Sequence, residues 1–232
     1  MRHVTIHNQS SLVTAAQLAA IVAALQEQVT RDFYPRWGIT ATLTPLTTPA
    51  SAKTVPPASE TIFVLDHSDQ ADALGYHELL QSGVPIGFAF AADAKADGAT
   101  ISSVLSHELL EQLVDPLAQC GVITQLGPAF GADANAWGLV AQETADPVEN
   151  DSYEIGSVAV SNFVLPAWFS GAGKVFDFLR RLRAPLSLDA GGYISYSTDL
   201  SNWKQVNAER AKHKYSRQQR RYTSRARRMT QP

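Results

Sequence analysis

Ser103-Val104-Leu105-Ser106-His107-Glu108-Leu109-Leu110-Glu111-Gln112-Leu113-Val114-Asp115-Pro116 is the stretch from which the rest of the chain is read. It reads as a helix ending at Asp115, because a following proline disfavours the α conformation in the residue before it. Helical residues four apart differ by about 40° in direction and share a face. His107, Glu111 and Asp115 therefore run along one edge with Glu108 beside them, while Ile101, Leu105, Leu109 and Leu113 form a separate apolar stripe facing the core. Burying one imidazole and three carboxylates on such a helix is costly unless they are paired or bound to a metal.

The spacing His107-Glu108-x-x-Glu111 resembles the active-site helix of the zincin metallopeptidases, whose usual form is His-Glu-x-x-His. The resemblance implies that His107 and Glu111 are zinc ligands and that Glu108 is the catalytic general base. Glu111 stands where the family has a second histidine. The helix is also similar to those of uncharacterised bacterial and bacteriophage proteins that carry Ser-His-Glu-x-x-Glu and end in Asp-Pro.

A tetrahedral site on a helix needs a third protein ligand from elsewhere, with one position left for water. No histidine lies between 107 and 213, so a carboxylate is expected. Glu143 and Asp146, in Gln142-Glu143-Thr144-Ala145-Asp146-Pro147, are the candidates, the latter as a ligand or as a group that orients one. Glutamate-then-aspartate segments follow the metal helix in proteins of similar pattern. Two carboxylates and one imidazole select zinc less strongly than two imidazoles do, which leaves calcium or manganese competitive. His67 and His77 flank a loop, where lining the cleft is one reading and a lone surface histidine the commoner one. His3 and His7 make a weak clip at best, and Tyr153 is a candidate partner for an oxyanion.

The chain in order predicts an α+β domain over 1–203. Strands are expected at 4–7, 39–46, 61–66 and 84–90, an amphipathic helix at 14–30 capped by Thr14, and a short helix at 71–80. Pro85 marks 84–90 as an edge strand. A hairpin around Gly156-Ser157 and a late strand at 191–197 follow, and Trp203 closes the globular part. This order, with an edge strand just before the metal helix, resembles the N-terminal half of a zincin. There a mixed, twisted sheet presents its edge strand beside the metal and an extended peptide adds to it.

Composition frames the partners. Hydrophobic residues make up 45% of the 232, enough for a sizeable core, and the single cysteine, Cys120, excludes an internal disulfide framework. The polar start, Met1-Arg2-His3, does not read as a signal peptide, and no run of about 18 apolar residues exists to span a membrane. A cytoplasmic or virion-packed protein is expected. Residues 204–232 carry ten Lys/Arg against Glu209, a net +9, while 1–203 carry nine against twenty-one acids, a net −12. This basic C-terminal arm includes Arg217, Arg220, Arg221, Arg225, Arg227 and Arg228 with Tyr215 and Tyr222 among them, a pattern suited to a polyanion such as nucleic acid or to the acidic surface of a neighbouring subunit. Two functions are therefore expected to compete. One is a metal-dependent hydrolase of peptide or protein substrates, with zinc as the expected ion. The other is a catalytically inert, zincin-like structural protein of a bacteriophage virion, in an oligomer or larger assembly, whose arm contacts DNA or other subunits.

Overall fold

The computed structural model describes residues 1–55, 57–127, 130, 136–200 and 202–209. Strand β1 (Arg2–Asn8) forms where Val4 and Ile6, both fully buried, alternate with polar residues. Thr14 caps helix α1 (Ala15–Glu27): its hydroxyl accepts from the Gln17 N–H, and the Gln17 side chain accepts from the Thr14 N–H. These reciprocal bonds satisfy two donors that every helix start leaves open. Leu18, Ile21, Val22 and Leu25 bury the expected stripe.

The helix does not end near Thr30. It widens into a π-helix (Gln28–Phe33) and then helix α2 (Tyr34–Trp37), which closes at Gly38 with a left-handed φ of 68°. The wider turn points two polar side chains inward. Gln28 accepts from the Ser106 hydroxyl at 2.7 Å and donates to the Ser161 carbonyl at 2.9 Å, and Asp32 accepts from the Tyr153 hydroxyl at 2.8 Å. The π-helix thus ties the first helix to the helix that carries Ser106.

Strands β2 (Ala41–Thr47), β3 (Thr61–Leu65), β4 (Gly75–Leu79) and β5 (Pro85–Phe90) join β1 in a five-stranded sheet of order β2-β1-β3-β5-β4. All pairs are parallel except β4 with β5. Two expectations are corrected here. Residues 75–79, expected to be helical, form the antiparallel end strand. Pro85 does not mark an edge: β5 lies between β3 and β4, and the proline is its first residue, where a missing N–H is tolerated.

A short helix α3 (Ala91–Asp97) leads into α4 (Ile101–Val114), the helix expected from the motif. It lies across β3, β4 and β5 on one side and against the hairpin of β8 (Ser152–Ile155) and β9 (Val158–Ser161) on the other. A second sheet, of order β11-β10-β7-β6, is built from β6 (Gly121–Gln125), β7 (Trp137–Ala141), β10 (Tyr193–Ser197) and β11 (Lys204–Asn207). Residues 204–207, grouped with the basic arm by charge, are thus a strand of the body, paired antiparallel with β10. Phe33, Trp37, Phe163 and Phe169 pack ring against ring between the two halves. Among the described residues no helix is long and apolar enough to cross a membrane. The six arginines from Arg217 to Arg228 lie outside the described residues.

Candidate metal centre

Helix α4 is buried on nearly every side, from Val104 through Val114 without a break. Its start is capped by the Thr100 hydroxyl, which accepts from the Ser103 N–H. At its end the Arg2 guanidinium donates to the carbonyls of Gln112 and Leu113, satisfying acceptors that a helix C-terminus leaves open. Asp115 leaves the α region, as Pro116 requires, and its carboxylate accepts from the N–H groups of Gln119 and Cys120 at 2.8 Å each. A helix held this firmly fixes the positions of His107, Glu108 and Glu111.

The second half of the site comes from the segment between β7 and β8. A 3-10 turn (Asp146–Val148) docks onto α4 because Glu111 Oε1 accepts from the N–H groups of both Ala145 and Asp146, at 3.2 Å. The docked turn brings Asp146 Oδ1 to 3.2 Å from His107 Nε2, which is itself 3.3 Å from Glu111 Oε1. On the other side of the ring, Glu149 Oε2 lies 3.5 Å from His107 Nδ1. His107, Glu111 and Asp146 converge closely enough to hold one ion.

A second imidazole enters from β4. His77 faces α4 opposite Gly87, with its Nδ1 at 3.5 Å from Glu108 Oε2 and 3.7 Å from Glu111 Oε2. Its Nε2 lies 3.7 Å from Glu143 Oε2. His77 is fully buried, and among the described residues neither ring nitrogen has a hydrogen-bond partner. Gly75, two residues earlier on the same face of β4, makes the close approach possible: a Cβ there would meet Glu108 Cγ and Oε1 at 2.7 Å and the Phe88 carbonyl at 2.9 Å.

His107 Nε2 and Asp146 Oδ1 are hydrogen-bonded at 3.2 Å, while the wider separations around both imidazoles suit a shared cation. A hydrogen-bonded N and O sit at about 2.7–3.2 Å, whereas two ligands about 2.0–2.1 Å from a tetrahedral ion sit about 3.3 Å apart. The electrostatics agree. Burial alone would push His77 down, but Glu143, Glu108 and Glu111 outweigh it and raise the imidazole to about 9. Burial likewise opposes a charge on His107, yet Glu111, Glu149 and Asp146 raise it well above its ordinary value. Glu111 is pushed up to about 8 by burial first and by Asp146 and Glu143 next. Without a cation the site holds protons to offset its crowded carboxylates.

All five residues picked from the sequence, His107, Glu108, Glu111, Glu143 and Asp146, therefore meet around α4, but in two groups. Asp146 stands with His107, and Glu143 stands with His77. His77, expected as a surface histidine beside a loop and a short helix at 71–80, is instead a fully buried residue of a strand. A lone histidine in a five-residue strand carries no periodicity by which the sequence marks it. Tyr153 does not reach the centre: it stacks on Phe178, and burial with the bond to Asp32 holds its phenol protonated well above its ordinary range. His7 bonds Thr48 and packs on Phe63, and His67 is exposed beside Asp93, so neither takes part.

A cavity of about 320 Å³ opens onto the His107 side of the centre. Leu74, Gly75, His107, Glu108, Glu149 and Tyr193 are among the residues that line it, and Asp97 and Asp151 make its wall more acidic. Compared with protein-family models, with curated proteins and with solved structures, the chain matches none.

Proposed function

We propose that the protein is a metal-dependent hydrolase of peptide bonds, of zincin-like design, with its first ion held by His107, Glu111 and Asp146. The observation that carries this reading is the convergence of His107 Nε2, Glu111 Oε1 and Asp146 Oδ1 within 3.2–3.3 Å contacts at the wall of an open cavity, with Glu108 lining the same cavity. His107, Glu111 and Asp146 would hold a divalent cation such as zinc, which would supply polarisation of a substrate carbonyl and acidification of water. Glu108 takes the proton from the attacking water and returns it to the leaving amine. Glu149, on the far side of the His107 ring, fixes which nitrogen faces the ion. The end strand β4 borders the cavity at Gly75 and offers an edge along which an extended peptide aligns. The acidic wall favours substrates with a positively charged side chain near the cleaved bond.

The test is Glu108→Gln assayed beside wild type on a mixture of unstructured peptides. The variant is expected to keep the ion at His107, Glu111 and Asp146 while hydrolysis falls by about 10²–10⁴-fold, the usual contribution of a positioned base. Wild-type hydrolysis surviving in that variant would remove Glu108 from the chemistry.

The charge division of the sequence supports a second reading, an inert structural body with a polyanion-binding arm, for example in a bacteriophage particle. That reading predicts no hydrolysis of any peptide by the metal-loaded protein and loss of polyanion binding once the arm is removed.

A further inference from the structure

We infer that the centre holds two divalent cations bridged by the Glu111 carboxylate. The first sits on His107 Nε2, Glu111 Oε1 and Asp146 Oδ1; the second sits on His77 Nδ1, Glu108 Oε2 and Glu111 Oε2. The first ion is the one in the hydrolase reading above, and the second goes beyond it.

An imidazole with no solvent exposure almost always has its ring nitrogens hydrogen-bonded. Neither nitrogen of His77 is bonded, and Glu108 Oε2, also buried, has no hydrogen bond either. A proton shared between Nδ1 and a carboxylate would draw the pair to about 2.8 Å. Here two carboxylate oxygens, on Glu108 and Glu111, stand back from the same nitrogen at 3.5 and 3.7 Å. Both distances are wider than a hydrogen bond and a few tenths of an ångström beyond the separation of two ligands on one ion, and one donor atom from each of His77, Glu108 and Glu111 lies within 4.8 Å of the others.

The two histidines are also built alike. Each turns one nitrogen toward a pair of carboxylate oxygens and the other toward a lone glutamate, Glu149 for His107 and Glu143 for His77. A metal-bound imidazole commonly has a carboxylate beside its second nitrogen; here those oxygens stand 3.5 and 3.7 Å away, longer than a hydrogen bond. Glu111 joins the halves, because its two oxygens face different histidines. Ions in such two-metal sites lie about 3.5–4 Å apart. Glu108 binds through Oε2 in this arrangement, leaving Oε1, which lies against Gly75, as the oxygen that accepts a proton.

The experiment is equilibrium dialysis of the full-length, metal-stripped protein against Mn²⁺, with electron paramagnetic resonance of the frozen samples. Wild type is expected to bind two equivalents and to show a broadened, spin-coupled signal at saturation. His77→Asn and Glu108→Gln are each expected to bind one equivalent with the six-line signal of an isolated ion. Glu143→Gln is expected to weaken the second equivalent about 10–100-fold without abolishing it. Saturation of wild type at one equivalent, or two equivalents with no coupling, overturns the bridged pair. A second ion that survives Glu108→Gln and vanishes in Glu143→Gln overturns the ligand assignment. Should His77→Asn fail to fold, as circular dichroism would show, the wild-type signal decides alone. One ion that His107→Ala removes and His77→Asn retains would spare the hydrolase reading while sinking the second site; no bound ion at all would sink both.

Discussion

Glu111 presents its two carboxylate oxygens to two different histidines: Oε1 stands 3.3 Å from His107 Nε2, and Oε2 stands 3.7 Å from His77 Nδ1. One histidine lies four residues earlier on the same helix. The other arrives from the end strand of the sheet, far earlier in the chain. The carboxylate also anchors the turn that carries Asp146, by accepting from two of its backbone N–H groups. One side chain thus links the helix, the sheet and the 3-10 turn, and its protonation state is tied to whatever cation the site holds.

Cation binding is therefore expected to strengthen steeply with pH. In the metal-free protein Glu111 holds its proton up to about 8 and His77 up to about 9. An ion must displace these protons, and each one displaced adds about tenfold in affinity per pH unit. Competition titrations against a chromophoric chelator at pH 6, 7 and 8 measure this. An affinity that does not change across that range would show that the histidine and glutamate are not the ligands.

Metal-free stability should run the other way. Glu111 ionises near 4.5 when unfolded but near 8 when folded, so between these values the folded chain keeps a proton that the unfolded chain has lost. His77 behaves likewise between 6.5 and about 9. Both contributions are complete at low pH and disappear as pH rises. Thermal unfolding in excess chelator should therefore give a midpoint several degrees lower at pH 8.5 than at pH 6, whereas saturating Mn²⁺ should narrow or reverse the difference. Parallel pH profiles with and without metal would contradict this.

Much of the site was legible because α4 carries its chemistry at fixed helical spacing. His107, Glu108 and Glu111 follow from the motif, and Pro116 and Pro147 mark where their segments stop. His77 was not legible: a single histidine in a short strand has no periodicity of its own, and only tertiary packing through Gly75 brings it to α4. Pro85 misled because a proline at the first residue of a strand and one on an edge strand have the same local sequence. The π-helix escaped notice for a related reason, since Gln28 and Asp32 look like solvated positions until their partners, Ser106 and Tyr153, are placed. The five-stranded sheet was legible in outline because Val4 and Ile6 alternate with less buried residues in β1, while Thr61–Leu65 is a continuous run buried on both faces.

Gly75→Ala tests the close packing beneath the site. The added methyl would meet Glu108 at 2.7 Å and the Phe88 carbonyl at 2.9 Å, and the carbonyl cannot rotate away. Overpacking of this kind costs about 1–3 kcal/mol. The variant should unfold at lower denaturant with an unchanged slope and should bind its second Mn²⁺ more weakly, because Glu108 is displaced. Wild-type stability together with wild-type binding would mean that β4 and α4 are not locked together here.

Ser106→Ala tests the brace behind the metal helix. The Ser106 hydroxyl accepts from the Ser161 N–H at 2.9 Å and donates to Gln28 at 2.7 Å, all three groups being buried. Removing it leaves the Ser161 donor without that acceptor and takes a donor from Gln28, a loss of about 1–3 kcal/mol for a buried polar group left unsatisfied. The denaturation midpoint should fall accordingly, while the number of bound ions stays at the wild-type value. A change in ion stoichiometry would show that the π-helix brace also sets the ligand geometry.

Truncation after Glu209 separates the body from the arm. Lys204–Asn207 pairs with β10, and the Ala208 N–H donates to the Gly192 carbonyl, so cutting earlier would damage the second sheet. A chain ending at Glu209 keeps every one of these bonds and loses Arg217, Arg220, Arg221, Arg225, Arg227 and Arg228 together. It should unfold cooperatively near the wild-type midpoint and bind the same number of ions. Binding to double-stranded DNA, followed by fluorescence anisotropy across a salt series, should be present in the full chain and lost in the truncated one. Arginines that neutralise phosphates release counterions, so the full chain should show a log–log salt slope of about −0.9 for each phosphate contacted. A truncated protein that binds DNA as well as the full chain would place the polyanion surface on the acidic body, against its charge, and would end the case for the arm.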